Sequence, residues 1–347
     1  MDKEIIFKEI FEQPQTTATL LSQEQNNIDQ IANELSGKFN AIMIVARGSS
    51  DNAGRYAKYL FGAHNHIPVS LAAPSLFTLY ESYPKLDKTL VICISQSGQS
   101  PDLLCVLEAC KEQGQPTIAI TNDPQSPIAN IADWVIDIHA GQEKAIAATK
   151  SYNAQLLAIA MLSNAFEQAN AREKELNAIP KWIEAVLKHD PDINDFSKRY
   201  RFMKHCVTLG RGFNYSSAFE WALKLKELTY IVAEPYSSAD FLHGPIAMID
   251  SGFPILAIAP SGCVIDDMQT LFKKLKQENK ADLLIISDNE ALRQDADIFI
   301  PLPQDVPEWI SPIISIVPAQ LFSAHLAKTK GYDPVSPRGL HKVTETR

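Results

Sequence analysis

The chain has 347 residues, 46% of them hydrophobic and 21% charged, with a formal net charge of −9. That length suits two domains of ordinary size. The acidic balance disfavours a broad electrostatic match to nucleic acid, so any anion site must be local. No apolar stretch is expected to reach the length of a membrane span, and Met1-Asp2-Lys3-Glu4 is not the n-region of a signal peptide. Cys93, Cys105, Cys110, Cys206 and Cys263 are odd in number and lack metal spacing, which predicts reduced, buried thiols in a cytoplasmic protein.

Residues 4–35 read as helix. From about residue 40, strand-like runs at 41–46, 89–94, 117–121 and 134–138 alternate with helical segments at 51–63, 101–113 and 149–169. This alternation predicts a parallel sheet covered on both faces. Residues 171–200 are more polar and carry Pro180, Pro191 and an Asp-rich stretch; they read as a linker with a short helix near 182–187. The pattern then recurs. Arg47-Gly48, Ser97-Gly98 and Ala132-Asp133 return as Arg211-Gly212, Ser261-Gly262 and Ala296-Asp297, each 164 residues later. One offset for three dipeptides predicts the same α/β fold twice in tandem.

The most informative segment is Ser95-Gln96-Ser97-Gly98-Gln99-Ser100, after the apolar run 90–94 and before Pro101-Asp102-Leu103-Leu104. Ser100 suits an N-cap and Pro101 the first helical position. A short hydroxyl-rich loop leading into a helix N-terminus offers donors to a phosphate. The counterpart Ala259-Pro260-Ser261-Gly262-Cys263-Val264 lacks those hydroxyls, so only the first loop is expected to hold an anion. Lys224 and Glu227 stand three apart on a helical stretch at about 216–231 and share a face. By spacing alone they form a solvated ion pair; in a site, Glu227 could act as a general acid/base, with Lys224 orienting it. His243 precedes Gly244-Pro245, Lys342 lies in the tail, and Arg47 either meets an anion or holds its loop by hydrogen bonds. His64 and His66 lack metal partners nearby, and neither GxGxxG nor GxxxxGK[ST] occurs, so no metal or cofactor is expected.

These motifs resemble the sugar isomerase (SIS) domain, which occurs as a tandem pair in the isomerase half of glucosamine-6-phosphate synthases. The resemblance covers about residues 30–347. It rests on Ala46-Arg47-Gly48-Ser49-Ser50, the serine loop, Ala148-Thr149-Lys150, Leu209-Gly210-Arg211-Gly212, Ala222-Leu223-Lys224-Leu225-Lys226-Glu227, His243-Gly244-Pro245 and Pro337-Arg338-Gly339-Leu340-His341-Lys342, in that order. It implies two tandem α/β domains, each a parallel sheet flanked by helices in a flavodoxin-like three-layer sandwich. The expected organisation is a helical segment at 1–29, a first domain at 30–171, a linker at 172–194, a second domain at 195–336 and a contributing tail at 337–347.

The resemblance assigns Ser49, Ser50, Ser95, Gln96, Ser97, Ser100 and Ala148 to the sugar phosphate. It makes Glu227 the acid/base, Lys224 its partner, His243 the ring opener given across a homodimer, and Lys342 the amine that forms a Schiff base. Ala148 stands where the family often has Ser, and Gln99 where it often has Glu. The synthase's glutaminase, with its cysteine directly after the initiator Met, is not expected here, since position 2 is Asp. The implied function is a SIS-type glucosamine-6-phosphate deaminase acting in the cytoplasm without a membrane or nucleic-acid partner. A fructosamine-6-phosphate deglycase, a galactosamine-6-phosphate deaminase/isomerase and a phosphosugar-binding regulator are the alternatives.

Overall fold

The computed structural model describes residues 4–167 and 170–342. The chain divides into two compact units. The first comprises Gln15–Glu143, Lys150–Asn177 and the tail from His341. The second comprises the N-terminal segment as far as Pro14, Lys144–Thr149 and Ala178–Leu340.

In the first unit, β1 (Ala41–Ala46), β2 (Val69–Leu71), β3 (Thr89–Ser95), β4 (Thr117–Thr121) and β5 (Trp134–Asp137) form one parallel sheet in the order β2-β1-β3-β4-β5. The sequences AIMIVA and TLVICIS are nearly unbroken apolar runs because both faces of a parallel sheet are covered. Met43, Val45, Val91, Cys93 and Ala119 share one face and pack with Leu103, Val106, Leu107 and Cys110 of the helix Pro101–Glu112. The helices Gly48–Asn65 and Lys150–Glu167 pack together on the other side. Close contact there depends on Gly54, where a Cβ would lie 2.8 Å from Ile44 Cγ2.

The second unit repeats this plan with β6 (His205–Gly210), β7 (Val232–Ser237), β8 (Pro254–Ile258), β9 (Asp282–Ser287) and β10 (Ile298–Pro301), all parallel, in the order β10-β9-β8-β6-β7. Read from the other edge, this is the same topology. The spacing of 164 residues reaches the strand ends themselves: Ala41–Ala46 returns as His205–Gly210 and Trp134–Asp137 as Ile298–Pro301. Asp133 and Asp297 explain one recurrent dipeptide. Each donates its N–H back to the neighbouring strand, Asp133 to the Thr117 carbonyl and Asp297 to that of Leu283. Each carboxylate also accepts from a backbone N–H of the same strand, Thr117 at 3.0 Å and Leu283 at 2.8 Å.

Several expectations are corrected. The helix read over 4–35 is two helices, Ile5–Phe11 and Gln13–Leu35, and the shorter one packs in the second unit against Ser311–Thr329. There Gln13 Nε2 donates to Gln320 Oε1 at 3.0 Å. The short helix expected near 182–187 is the end of a longer one, Asn170–Leu187, and a second helix, Asp190–Arg199, follows it. The three-residue β2 is too short to show in the sequence pattern. Cys93, Cys110 and Cys206 are buried as expected, but Cys105 is half-buried and Cys263 exposed, because Cys263 sits in a loop beyond β8. Glu308–Thr329 is, contrary to expectation, long and apolar enough by composition to cross a bilayer, yet its apolar window is wholly buried, as befits a core helix.

Candidate active site

A sheet ordered 2-1-3-4-5 reverses direction between strands 1 and 3, and ligands of such sheets bind outside the carboxyl ends at that point. The loops after β1 and β3 are the two that carry Arg47-Gly48-Ser49-Ser50 and Gln96-Ser97-Gly98-Gln99-Ser100. Ser95, the buried last residue of β3, accepts a hydrogen bond at Oγ from the Gly98 N–H at 3.1 Å, which leaves its own hydroxyl proton available to donate. Ser97 Oγ likewise accepts from the Gln99 N–H at 3.3 Å. Gly98 has φ +61°, and a Cβ there would lie 2.0 Å from Ser126 Oγ. Ser100 occupies the N-cap and Pro101 the first turn as expected, but the Ser100 side chain makes no capping bond.

Ser50 is buried and accepts from Gln155 Nε2 at 3.0 Å. Ser49, half-buried, lies in the first turn of the helix, and the Gln96 carbonyl accepts from the Asn122 N–H at 3.1 Å. Arg47 Nε donates to Asp102 Oδ2 at 2.8 Å, and Asp102 is fully buried. Of the two roles open to Arg47, the structure shows loop holding: the bond ties the β1 loop to the helix that follows β3. The second unit has a related but exposed pair, Arg211 Nη1 2.9 Å from Asp267 Oδ2, one position beyond the repeat of Asp102.

The counterpart loop of the second unit is already occupied. Cys263 N–H, at the position of Gln99 in the repeat, donates to Glu308 Oε2 at 2.9 Å, and Ser261 N–H donates to Asp288 Oδ1 at 2.6 Å. A carboxylate of the chain itself thus lies against this loop, and the loop after β3 has serine hydroxyls instead.

Lys224 and Glu227 lie on the helix Tyr215–Thr229 of the second unit. Lys224 Nζ is 2.5 Å from Glu227 Oε2 and 3.3 Å from Glu220 Oε1. The Lys224 and Glu220 side chains are 1% and 0% exposed, that of Glu227 22%. Burial by itself would favour the neutral amine, but the two carboxylates outweigh it and hold the Lys224 pKa above the ordinary lysine value. The arrangement is therefore a buried charge row with one carboxylate reaching solvent, not the solvated pair that spacing alone implies. Glu220 was missed by the sequence reading, although its place one turn before Lys224 was a visible signal.

His243 follows the short helix Ser238–Leu242 of the same unit; its ring is exposed and makes no hydrogen bond or ion pair with the described residues. Ala148 also belongs to the second unit, in the segment Lys144–Thr149. Lys342 belongs to the first unit, where its Nζ lies 2.8 Å from Glu143 Oε2. Asp102 and Glu143 are further residues that the sequence reading passed over, since nothing local marks either as buried. An open polar cavity of about 520 Å³ in the first unit, beyond β4 and β5, is lined by Asn122, Asp137 and His139 among others; it includes none of the expected residues.

A family model described as the SIS domain matches residues 37–165 and 201–330. The glutamine–fructose-6-phosphate aminotransferase (isomerizing) of Thermococcus kodakarensis is 35% identical over 349 residues, covering 97% of this chain and 57% of that protein. The chain thus spans little more than half the length of that relative. Among solved structures, the C-terminal domain of glucosamine-fructose-6-phosphate aminotransferase from Francisella tularensis aligns with a TM-score of 0.89 and 30% identity, over 96% of this chain and 98% of that one. A glucosamine-6-phosphate deaminase from Thermotoga maritima aligns with a TM-score of 0.78 over 98% of this chain and 99% of that one; at 24% identity the likeness is one of fold alone.

Proposed function

Because the chain belongs to the SIS domain family, which it matches twice in tandem, we propose that it is an aldose–ketose isomerase of amino sugar phosphates, and specifically a glucosamine-6-phosphate deaminase. The observation that carries this reading is the charge row Glu220–Lys224–Glu227, in which Glu227 alone is partly exposed. The part of the aminotransferase that this chain resembles is its C-terminal domain. Run from the amino sugar with water as acceptor, that domain's isomerisation releases ammonia.

The phosphate is held by the hydroxyls of Ser95, Ser97 and Ser100 and the N-terminus of the helix Pro101–Glu112, with Ser49, Ser50 and Gln96 contributing. His243, supplied by a second copy of the chain, moves the proton that opens the ring. Glu227 takes the C2 proton of the open-chain aldose and returns it to C1, which leaves an imine at C2. Lys224 stabilises the charge that develops on O1 between these transfers. Water adds at C2, the C–N bond breaks, and ammonia and fructose 6-phosphate leave. Before the ketose is released, the Lys342 amine condenses reversibly with its open-chain carbonyl, expelling water, and hydrolysis of that imine frees the sugar.

Ammonia release from glucosamine 6-phosphate, galactosamine 6-phosphate and fructoselysine 6-phosphate, with coupled detection of fructose 6-phosphate, tests this directly. Ammonia and fructose 6-phosphate from the first sugar are expected. Glu227→Gln should lose about 10²–10⁴-fold in turnover while still binding inorganic phosphate. No ammonia from any of the sugars, or near-full turnover in Glu227→Gln, would overturn the assignment.

A further inference from the structure

One buried carboxylate of the first unit has no place in the steps above. Glu143 ends the chain segment after β5, and its side chain is 0% exposed. Oε1 accepts the Ser151 N–H at 3.1 Å, and Oε2 accepts the Ser151 hydroxyl at 2.7 Å and the Lys342 ammonium at 2.8 Å. Ser151 lies in the first turn of the helix Lys150–Glu167, so the carboxylate also meets the positive end of that helix. The acceptor is thus fixed by the body of the unit, whereas Lys342 is 199 positions away in an irregular tail and is 28% exposed. A lysine side chain on such a segment gives up rotamer entropy when fixed. A buried, already oriented partner supplies the compensating bond and fixes where the amine stands.

We propose that Glu143 is the positioning residue of Lys342: it docks the tail lysine on the first unit and exchanges its proton when the amine reacts. This rests on the imine role assigned to Lys342. In that step Glu143 takes one ammonium proton, and the neutral amine forms an N–C bond with the carbonyl carbon of the open-chain ketose phosphate. The carbonyl oxygen then collects two protons through the lysine nitrogen, the second of them returned to that nitrogen by Glu143, and leaves as water. The product is a protonated imine, which water hydrolyses by the reverse path. Nothing is oxidised or reduced.

The test is borohydride trapping with fructose 6-phosphate, read as the mass of the Lys342 peptide, alongside thermal melting and inorganic phosphate affinity. Wild-type protein should be labelled at Lys342. Glu143→Gln should lose about ten- to a hundredfold of that labelling, and kcat with it, with melting temperature and phosphate affinity unchanged. Glu143→Asp, which keeps the charge but withdraws it by one methylene, should fall between. Equal labelling in Glu143→Gln overturns the proposal. Should that variant lose phosphate binding, Glu143→Asp carries the test, and wild-type labelling in it overturns the proposal. If wild-type Lys342 is not labelled, the imine role and this assignment fall together, while ammonia release still judges the deaminase independently.

Discussion

Lys224 shows how far a single residue departs from what its sequence neighbours imply. Its spacing to Glu227 was legible, but its burial was not, because burial depends on which face of the helix Tyr215–Thr229 meets the rest of its unit. Removing the Lys224 charge takes a cationic partner from both carboxylates of a buried row, and Glu220 has no exposure to solvent. Lys224→Met should therefore destabilise by about 3–5 kcal/mol, measured as the shift in urea midpoint at constant m. Adding Glu220→Gln should restore a large part of the loss. The pH dependence has a definite sign. The folded pKa of Lys224 is raised, so its contribution is complete below the unfolded lysine value of about 10.4 and is lost as pH rises through the higher folded value. The gap between wild type and Lys224→Met should stay constant from neutral pH to about pH 9 and narrow only above about 10.4. A gap that closes below that range would remove the ion pairs as its cause.

At the scale of elements, the loop after β3 combines a turn that needs glycine with a helix start that needs proline. Both were readable, because turn chemistry is decided within a few residues. The contact that makes Gly98 irreplaceable was not readable: Ser126 approaches from the helix start after β4 and fills the space a Cβ would need. Gly98→Ala carries both a backbone penalty of about 1–3 kcal/mol and this clash. Thermal melts should show the destabilisation, and phosphate titration a weaker affinity. Adding Ser126→Gly should recover only the part due to the clash. Full recovery would mean that the left-handed backbone there is not strained by alanine. The same loop shows a limit in the other direction, since Ser100 stands at the N-cap as its type predicts and yet makes no capping bond. Its hydroxyl is thereby left for another acceptor.

For the whole molecule, the repeat is more complete than three dipeptides suggested. Both sheets have one strand order, and in each unit the arginine after the first strand pairs with an aspartate of the helix after the third. The copies diverge at the loop after the third strand of each sheet, where Glu308 and Asp288 take N–H groups in the second unit. Calorimetric titration with inorganic phosphate should accordingly give one site per chain, abolished by Ser97→Ala together with Ser95→Ala. Two equivalent sites would show that Glu308 does not close the second loop.

The sequence alone determined four of the five strands of the first unit, the serine loop, the helix of Lys224 and Glu227, and the tandem repeat. These follow from apolar periodicity, turn chemistry and self-similarity, all of which act over short spans of chain. Only the tertiary structure decided that Ile5–Phe11 packs in the second unit, that Glu308–Thr329 is a core helix, that Arg47 is bound to Asp102, and that Lys342 is docked on Glu143. Each of these is a contact between residues far apart in the chain, made by side chains whose burial depends on the folded surroundings. Local pattern carries no record of such partners.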